Sequence, residues 1–352
     1  MEVSAGGDLL ISRRGRAVQV VLNSEATLNA LSLDMAAALL NLLEQWAEDP
    51  EVACVVFQGA GDRAFCAGGD IQSLYANMQR GDHAACDAFF ATEYRMDLAL
   101  HRFPKPTIAW TDGIVMGGGM GVMQGCSHRI VTPRTRMAMP ETHIGFLPDV
   151  GAGFFLNRRG DRLEWLLALT GGQIGADDAV FLGLADCTLA GEAHSDLLEF
   201  AASGPDAASL SDWLRRRHAP IGGGWMEGVR DELAAAAGLG SCTQVLDRLA
   251  EQAGCNPDIE RFCGRVGYAS PLAQRLTWGH LERSRGLDIG QALGLEYDLV
   301  CRLSRHGEFA EGVRALIIDK DQSPAWSQLP DSLGEWFEPV TGFDPANKGA
   351  AA

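Results

Sequence analysis

The chain has 352 residues, 47% hydrophobic and 21% charged, so it can bury a substantial core and is not a disordered polymer. Its formal net charge of −17 disfavours a nucleic acid or an anionic membrane as the main partner. Nine cysteines, an odd number with no CxxC pair, read as reduced and mostly buried thiols of a cytoplasmic protein. No apolar run approaches the roughly 20 residues of a membrane span, and the opening "MEVSAGGDLLISRRG" has early acids and no long apolar core, so a secretory signal is not expected.

Residues 8–23, "DLLISRRGRAVQVVLN", predict two short strands around an Arg-Arg-Gly turn. Residues 32–49 predict a helix, with Ser32 as its N-cap and Leu33, Ala36, Leu40 and Leu43 near helical spacing. "ACVVFQG" (53–59) is a short apolar run ending at glycine, as a buried strand would be, and the glycine-rich loop "GAGDRAFCAGGD" (59–70) follows it. A helix is expected over much of 83–102, then a strand in "KPTIAWT" (105–111). "DGIVMGGGMGVMQGCS" (112–127) sets three glycines ahead of a small-residue helical pattern, and "HRIVT" and "RMAM" predict strands on either side of Pro133. Helical patterns dominate from about residue 161, and no internal repeat is visible. Strands alternating with helices predict an α/β fold. "SGPDAAS" (203–209) and "PIGGGWMEG" (220–228) punctuate the chain before a mostly helical part, which suggests a core over 1–200 and a helical region over 201–352.

Two of these loops carry chemistry together. "FCAGGD" (65–70) and "MGGGMG" (116–121) are each expected between a strand and a helix. Glycine lets the backbone approach a ligand closely, and the first N–H groups of a helix are free and favour negative charge. Two such groups converging on one carbonyl oxygen make an oxyanion hole. Either loop alone is more economically explained by tight turns and packing, and neither fits a nucleotide-binding glycine motif.

In order along the chain, "GDRAFCAGGDI", "KPTIAWTDGIVMGGGMG", "AMPETHIGFLPDVGAGFFLNRRG" and "LTGGQIGADDAVFLGLAD" resemble the motifs of the crotonase (enoyl-CoA hydratase/isomerase) superfamily over most of residues 8–190. "LNSEATLNALS" (22–32) departs by lacking the family's proline after its first Asn, which changes a turn more than the chemistry. The resemblance implies a spiral of ββα units with a helical C-terminal region, and an acyl-coenzyme A thioester as ligand, with no separate cofactor. It assigns the oxyanion donors to the N–H groups of Gly69 and Gly118. It lays the adenine end of coenzyme A along Gly69, Asp70, Ile71 and Gln72, and sets Arg63 near the phosphates, although a lone Arg in a polar loop is more often simply solvated.

The superfamily's hydratases use two glutamates to place and protonate water. One matches Glu141; the other falls at Gly121, so half of that pair is missing. Asp149 is added where hydratases have glycine. This pattern resembles the 3-hydroxyisobutyryl-CoA hydrolase branch, which serves valine catabolism, and "GYASPLAQRLT", "LGLEYDLVCRL" and "GEFAEGVRALIIDKDQSPAW" extend the match into the helical tail. Glu93 matches a substrate-contacting glutamate of that branch. The resemblance implies thioester hydrolysis, with Glu141 as nucleophile or general base and with Asp149 and Glu93 orienting substrate or water. Two acids in apolar surroundings have their pKa values pushed apart.

His143 sits between Glu141 and Asp149, but no GxSxG accompanies it, and it is read as structural or as a support to its neighbours. Met116, Met120, Met123, Met137 and Met139 read as core or pocket lining, and nothing has zinc-ligand spacing. The alternatives are a hydratase or isomerase of the same fold and a non-catalytic coenzyme A-binding scaffold. A homo-oligomer is possible for this fold family.

Overall fold

A computed structural model describes residues 2–347, with side chains from residue 6 onward. The chain gathers into two compact units of discontinuous segments: Met1–Gly69, Arg95–Met137 and Ile174–Gly224 form the first, and Asp70–Tyr94, Ala138–Gln173 and Trp225–Ala352 form the second.

The first unit is built on a seven-stranded sheet. Its strands are β1 (Glu2–Ser4), β2 (Leu9–Arg14), β3 (Ala17–Leu22), β4 (Cys54–Gly59), β6 (Thr107–Thr111), β8 (His128–Val131) and β10 (Cys187–Thr188), adjacent in that order. The first two pairings are antiparallel, and those from β3 to β10 are parallel. In the parallel part Val56 faces Ile108 in register and Trp110 faces Ile130. Cys54, Val55, Val56 and Phe57 are all buried, as befits a central parallel strand covered on both faces. A second sheet holds β5 (Ala64–Cys66), β7 (Ile114–Met116) and β9 (Arg136–Ala138) in that order.

Each strand of the small sheet follows a strand of the large one along the chain: β4 then β5, β6 then β7, β8 then β9. The helices Ile71–Gln79 and Gly118–Gly125 and the short 3-10 helix Glu141–Ile144 follow in turn. This is the expected ββα repetition. The strands Glu2–Ser4 and Cys187–Thr188 lie outside the predicted elements, and the glycine-rich stretch 59–70 needs correction. It is not a continuous loop, because Ala64–Cys66 pairs in parallel with Ile114 and Val115. The helix Leu33–Glu48 starts as predicted, with Ser32 Oγ accepting from Met35 N–H.

The second unit is mainly helical. It holds the N-terminal part of the helix His83–His101 through Tyr94, and the helices Cys242–Ala253, Pro271–Arg283, Ile289–His306 and Glu308–Val313. Asp288 and Gln291 form a reciprocal cap at the start of Ile289–His306, and Gly307 ends that helix at φ +90°. Trp165, Leu276, Leu293, Leu299 and Phe309 are among its buried residues. None of the nine cysteines is in a disulfide, and of these nine only Cys255 is exposed. Among the described residues no helix is long and apolar enough to cross a membrane.

Candidate active site

In the first unit the two glycine loops approach one another. β5 and β7 run side by side, so their following loops emerge at the same end. A Cβ built on Gly68, at φ +123°, would stand 3.8 Å from Gly118 N. Gly118 is the first residue of its helix, so its N–H has no intrahelical acceptor. Gly117, at φ +50° and ψ −126°, turns the chain into that helix. A Cβ on Gly119 would lie 2.3 Å from the Cys66 carbonyl oxygen, which is why the helix start can lie against β5. Gly119→Ala is therefore expected to cost about 1–3 kcal/mol, as overpacking does, measured as a lower denaturant midpoint; an unshifted midpoint would refute this packing argument.

The turn that lacks the family's proline braces the first loop. Leu28 and Asn29 are both left-handed, at φ 57° and 58°. Ala67 N–H donates to the Leu28 carbonyl and Leu31 N–H to the Gly68 carbonyl. Asn29 Nδ2 donates to the carbonyls of Ala60 and Ala64 at 3.0 and 2.8 Å. Arg63 is exposed at the start of β5, and its carbonyl accepts from Ile114 N–H. The helix 118–125 holds Gly121, buried, at the position that the resemblance matches to a hydratase acid.

The acids belong to the second unit. Glu141 opens the 3-10 helix that follows Pro140, and Gly145 closes it at φ +66°. That element is held from several sides. Ser270 N–H donates to the Thr142 carbonyl, His143 Nε2 lies 3.0 Å from the Thr170 carbonyl, and a Cβ on Gly312 would stand 2.2 Å from Ile144 C. Asp149 starts the next turn. Val150 follows at φ +54°, where a β-branched residue is an outlier, and Gly151 at φ +90°. Tyr94 Oη donates to Asp149 Oδ2 at 2.6 Å. Glu93 precedes Tyr94 on the same helix.

Glu93, Glu141 and Asp149 are 2%, 6% and 5% exposed. Glu93 Oε1 and Glu141 Oε2 are buried with no hydrogen-bond partner, a cost that native proteins seldom bear without a reason. An aromatic cluster reaches Tyr94: Phe90 lies 6.2 Å from it, and Phe146 stacks on Phe90 at 5.6 Å and lies 4.4 Å from Phe309. Burial pushes the Glu141 carboxyl up to about 8, and the Asp149 charge adds to the effect. Burial likewise lifts Asp149 to about 7, with the Tyr94 hydrogen bond lowering it and the Glu296 charge raising it. Glu93 is held well above the carboxylate range by burial and then by Asp149. No cation is among these causes. Burial holds Tyr94 high first, followed by the Asp149 charge, so it remains a hydroxyl donor.

The structure thus gathers Glu93, Glu141 and Asp149, and separately Gly68 and Gly118. Asp70 caps the helix Ile71–Gln79, accepting from Ser73 N–H and Ser73 Oγ; Ile71 is half-buried and Gln72 exposed. His143 is tied to Thr170 and pushed down to about 4 by burial and then by the Arg265 charge, so it stays neutral. Sequence reasoning passed over Tyr94 and Glu296. The signal for Glu296 was a lone acid on the apolar face of a helix among Ala292, Leu293, Leu299 and Val300.

The sequence pattern of the enoyl-CoA hydratase/isomerase family matches residues 17–335. A protein of Gallus gallus named 3-hydroxyisobutyryl-CoA hydrolase, mitochondrial, is 33% identical over 340 residues, covering 94% of this chain and 86% of its own length. A solved structure named as an enoyl-CoA hydratase from Rhodobacter sphaeroides 2.4.1 has a TM-score of 0.85 at 35% identity, covering 95% of this chain and 98% of that one. Another, named as a carnitinyl-CoA dehydratase from Mycobacterium thermoresistibile, has a TM-score of 0.86 at 28% identity, covering 97% and 99%. The chain has the crotonase fold and belongs to the enoyl-CoA hydratase/isomerase family.

Proposed function

We propose that this protein hydrolyses a short 3-hydroxyacyl-CoA thioester, 3-hydroxyisobutyryl-CoA first among them, to the free hydroxy acid and coenzyme A. The observation that carries this reading is the set of acids. The position of one hydratase glutamate is Gly121, and Glu141 shares its buried surroundings with the added Asp149 and Glu93. The Gallus gallus relative bears the name of this activity.

In this reading the N–H groups of Gly69 and Gly118 receive the thioester oxygen as it becomes an oxyanion. Glu141 in its ionised form either attacks the carbonyl carbon, expelling the coenzyme A thiolate and leaving an anhydride that water opens, or takes a proton from the attacking water. The second route adds hydroxide to the carbonyl and expels the same thiolate. Glu93 Oε1, buried and unpartnered, is an acceptor for the substrate hydroxyl, and Asp149 orients water or substrate. Asp70, Ile71, Gln72 and Arg63 fall to the coenzyme A moiety. The compartment in this reading is the reducing cytoplasm, which the free thiols fit, although the Gallus gallus relative is named as mitochondrial.

The name given to the Rhodobacter sphaeroides protein favours a second reading, hydration of an enoyl-CoA with the missing acid supplied from elsewhere. Free-thiol release separates the two. With 3-hydroxyisobutyryl-CoA the expected result is stoichiometric coenzyme A release, and with crotonyl-CoA no loss of the enoyl absorbance. Loss of that absorbance without thiol release would establish the hydratase and overturn our reading of Gly121 and Asp149.

A further inference from the structure

Glu296 lies in the middle of the helix Ile289–His306 and is fully buried. It faces backbone amides instead of a guanidinium. Its Oε2 accepts from Gly151 N–H at 2.7 Å and its Oε1 from Gly153 N–H at 2.9 Å. His280 Nε2 lies 3.2 Å from the same Oε1, and His280 Nδ1 lies 3.3 Å from the Ser284 hydroxyl. A Cβ on Gly153 would stand 2.4 Å from Ser284 Oγ and 2.6 Å from His280 Cε1. Only glycine lets the turn come this close.

The clamped turn is the one that Asp149 begins. Ala152 N–H donates back to the Asp149 carbonyl at 2.9 Å. Between them Val150 is left-handed, a conformation that a β-branched residue keeps only where its surroundings over-determine it. Two charge-assisted hydrogen bonds to the amides just beyond supply that determination.

We propose that Glu296 is a positioning residue: by holding the Gly151 and Gly153 amides it keeps the Asp149–Val150 turn in shape and fixes where the Asp149 carboxyl stands. The inference rests on the reading of Asp149 as a group that meets substrate or water. Its electrostatic consequence is specific. Asp149 is faced by Glu93 and the Tyr94 hydroxyl from one helix, by Glu141 from its 3-10 turn, and by Glu296 from the long helix, with His280 turned toward Glu296. Removing the Glu296 charge removes a negative neighbour, so Asp149 should ionise at lower pH.

Glu296→Gln offers one oxygen for two N–H groups and presents its own NH2 to the other. In the full chain, kcat for thiol release should fall roughly 100-fold, the size of an ångström-scale misplacement, with KM little changed. The Asp149 carboxyl, followed by 13C NMR, should titrate at lower pH, which a merely structural role would not cause. Glu296→Asp keeps the charge but shortens the reach, so kcat should fall while the titration stays in place. A folded Glu296→Gln with wild-type kcat or an unmoved Asp149 titration overturns the proposal. If that variant does not fold, wild-type kcat in a folded Glu296→Asp does so instead. A wild-type protein that releases no thiol would sink the hydrolase reading, while the carboxyl titration would still decide whether Glu296 acts on Asp149.

Discussion

Glu141→Gln should do two things at once: lower kcat for thioester hydrolysis by about 10²–10⁴, the range for removing a positioned acid–base group, and make the protein more stable at neutral pH. The second follows from the folded-state pKa of about 8 against an ordinary 4.5. A carboxyl whose pKa is raised on folding is bound more tightly as the acid. Its contribution is fully present below pH 4.5 and is lost as the pH rises through about 8. Near pH 7 that loss is about 3 kcal/mol at most, from the distance between pH 7 and the ordinary value. Glutamine has the shape of the protonated acid and carries no charge, so it escapes the loss. Thermal melts of wild type and variant should nearly coincide at pH 4 and separate toward pH 8, with the variant higher. A variant that keeps its kcat, or one that melts below wild type at pH 8, would remove Glu141 from the centre of the mechanism. The expected pattern is that of a group kept for chemistry at the expense of stability.

Gly118→Pro is expected to lower kcat by about 10²–10³, the usual consequence of losing one oxyanion donor. The substitution is feasible because of where Gly118 stands. It is the first residue of its helix, where proline's fixed φ fits and its missing N–H breaks no helical bond. The residue before a proline must avoid the α region, and Gly117 at ψ −126° already does. Gly118→Ala is the comparison, since it keeps the N–H and adds bulk. Proline falling well below alanine would identify the N–H as the functional atom. Equal losses would mean that crowding alone is responsible, and the oxyanion assignment would fail. Circular dichroism and melting of both variants establish that the helix Gly118–Gly125 survives.

The elements were legible where local physics sets them. Ser32 before an apolar helical period caps a helix whatever surrounds it, and "ACVVFQG" reads as a buried strand because five apolar residues run together before Gln58 and Gly59. The three-residue strand Ala64–Cys66 was not legible, since so short a strand exists only by pairing with Ile114–Met116, some fifty residues away in the chain. The turn 24–31 shows the same limit. Its sequence marks a departure from the family, but only the fold reveals that Leu28, Asn29 and Leu31 hold the first glycine loop.

By itself the sequence named the parts of the candidate site: the two glycine loops from their residues, and the missing acid at Gly121 with the acids Glu93, Glu141 and Asp149 from the family resemblance. Residue type marks the glycine loops, because an oxyanion hole needs bare backbone, while the reading of Gly121 and of the three acids came through the resemblance. Only the tertiary structure decided how those acids are charged and aimed. The pKa of a carboxyl depends on who else is buried beside it, and that company comes from four separate elements: the helix of Glu93 and Tyr94, the turn of Glu141, the left-handed turn at Val150, and the long helix that brings Glu296 to Gly151 and Gly153. No local pattern records such a meeting, because desolvation and hydrogen bonding are properties of the packed chain and not of any stretch of it.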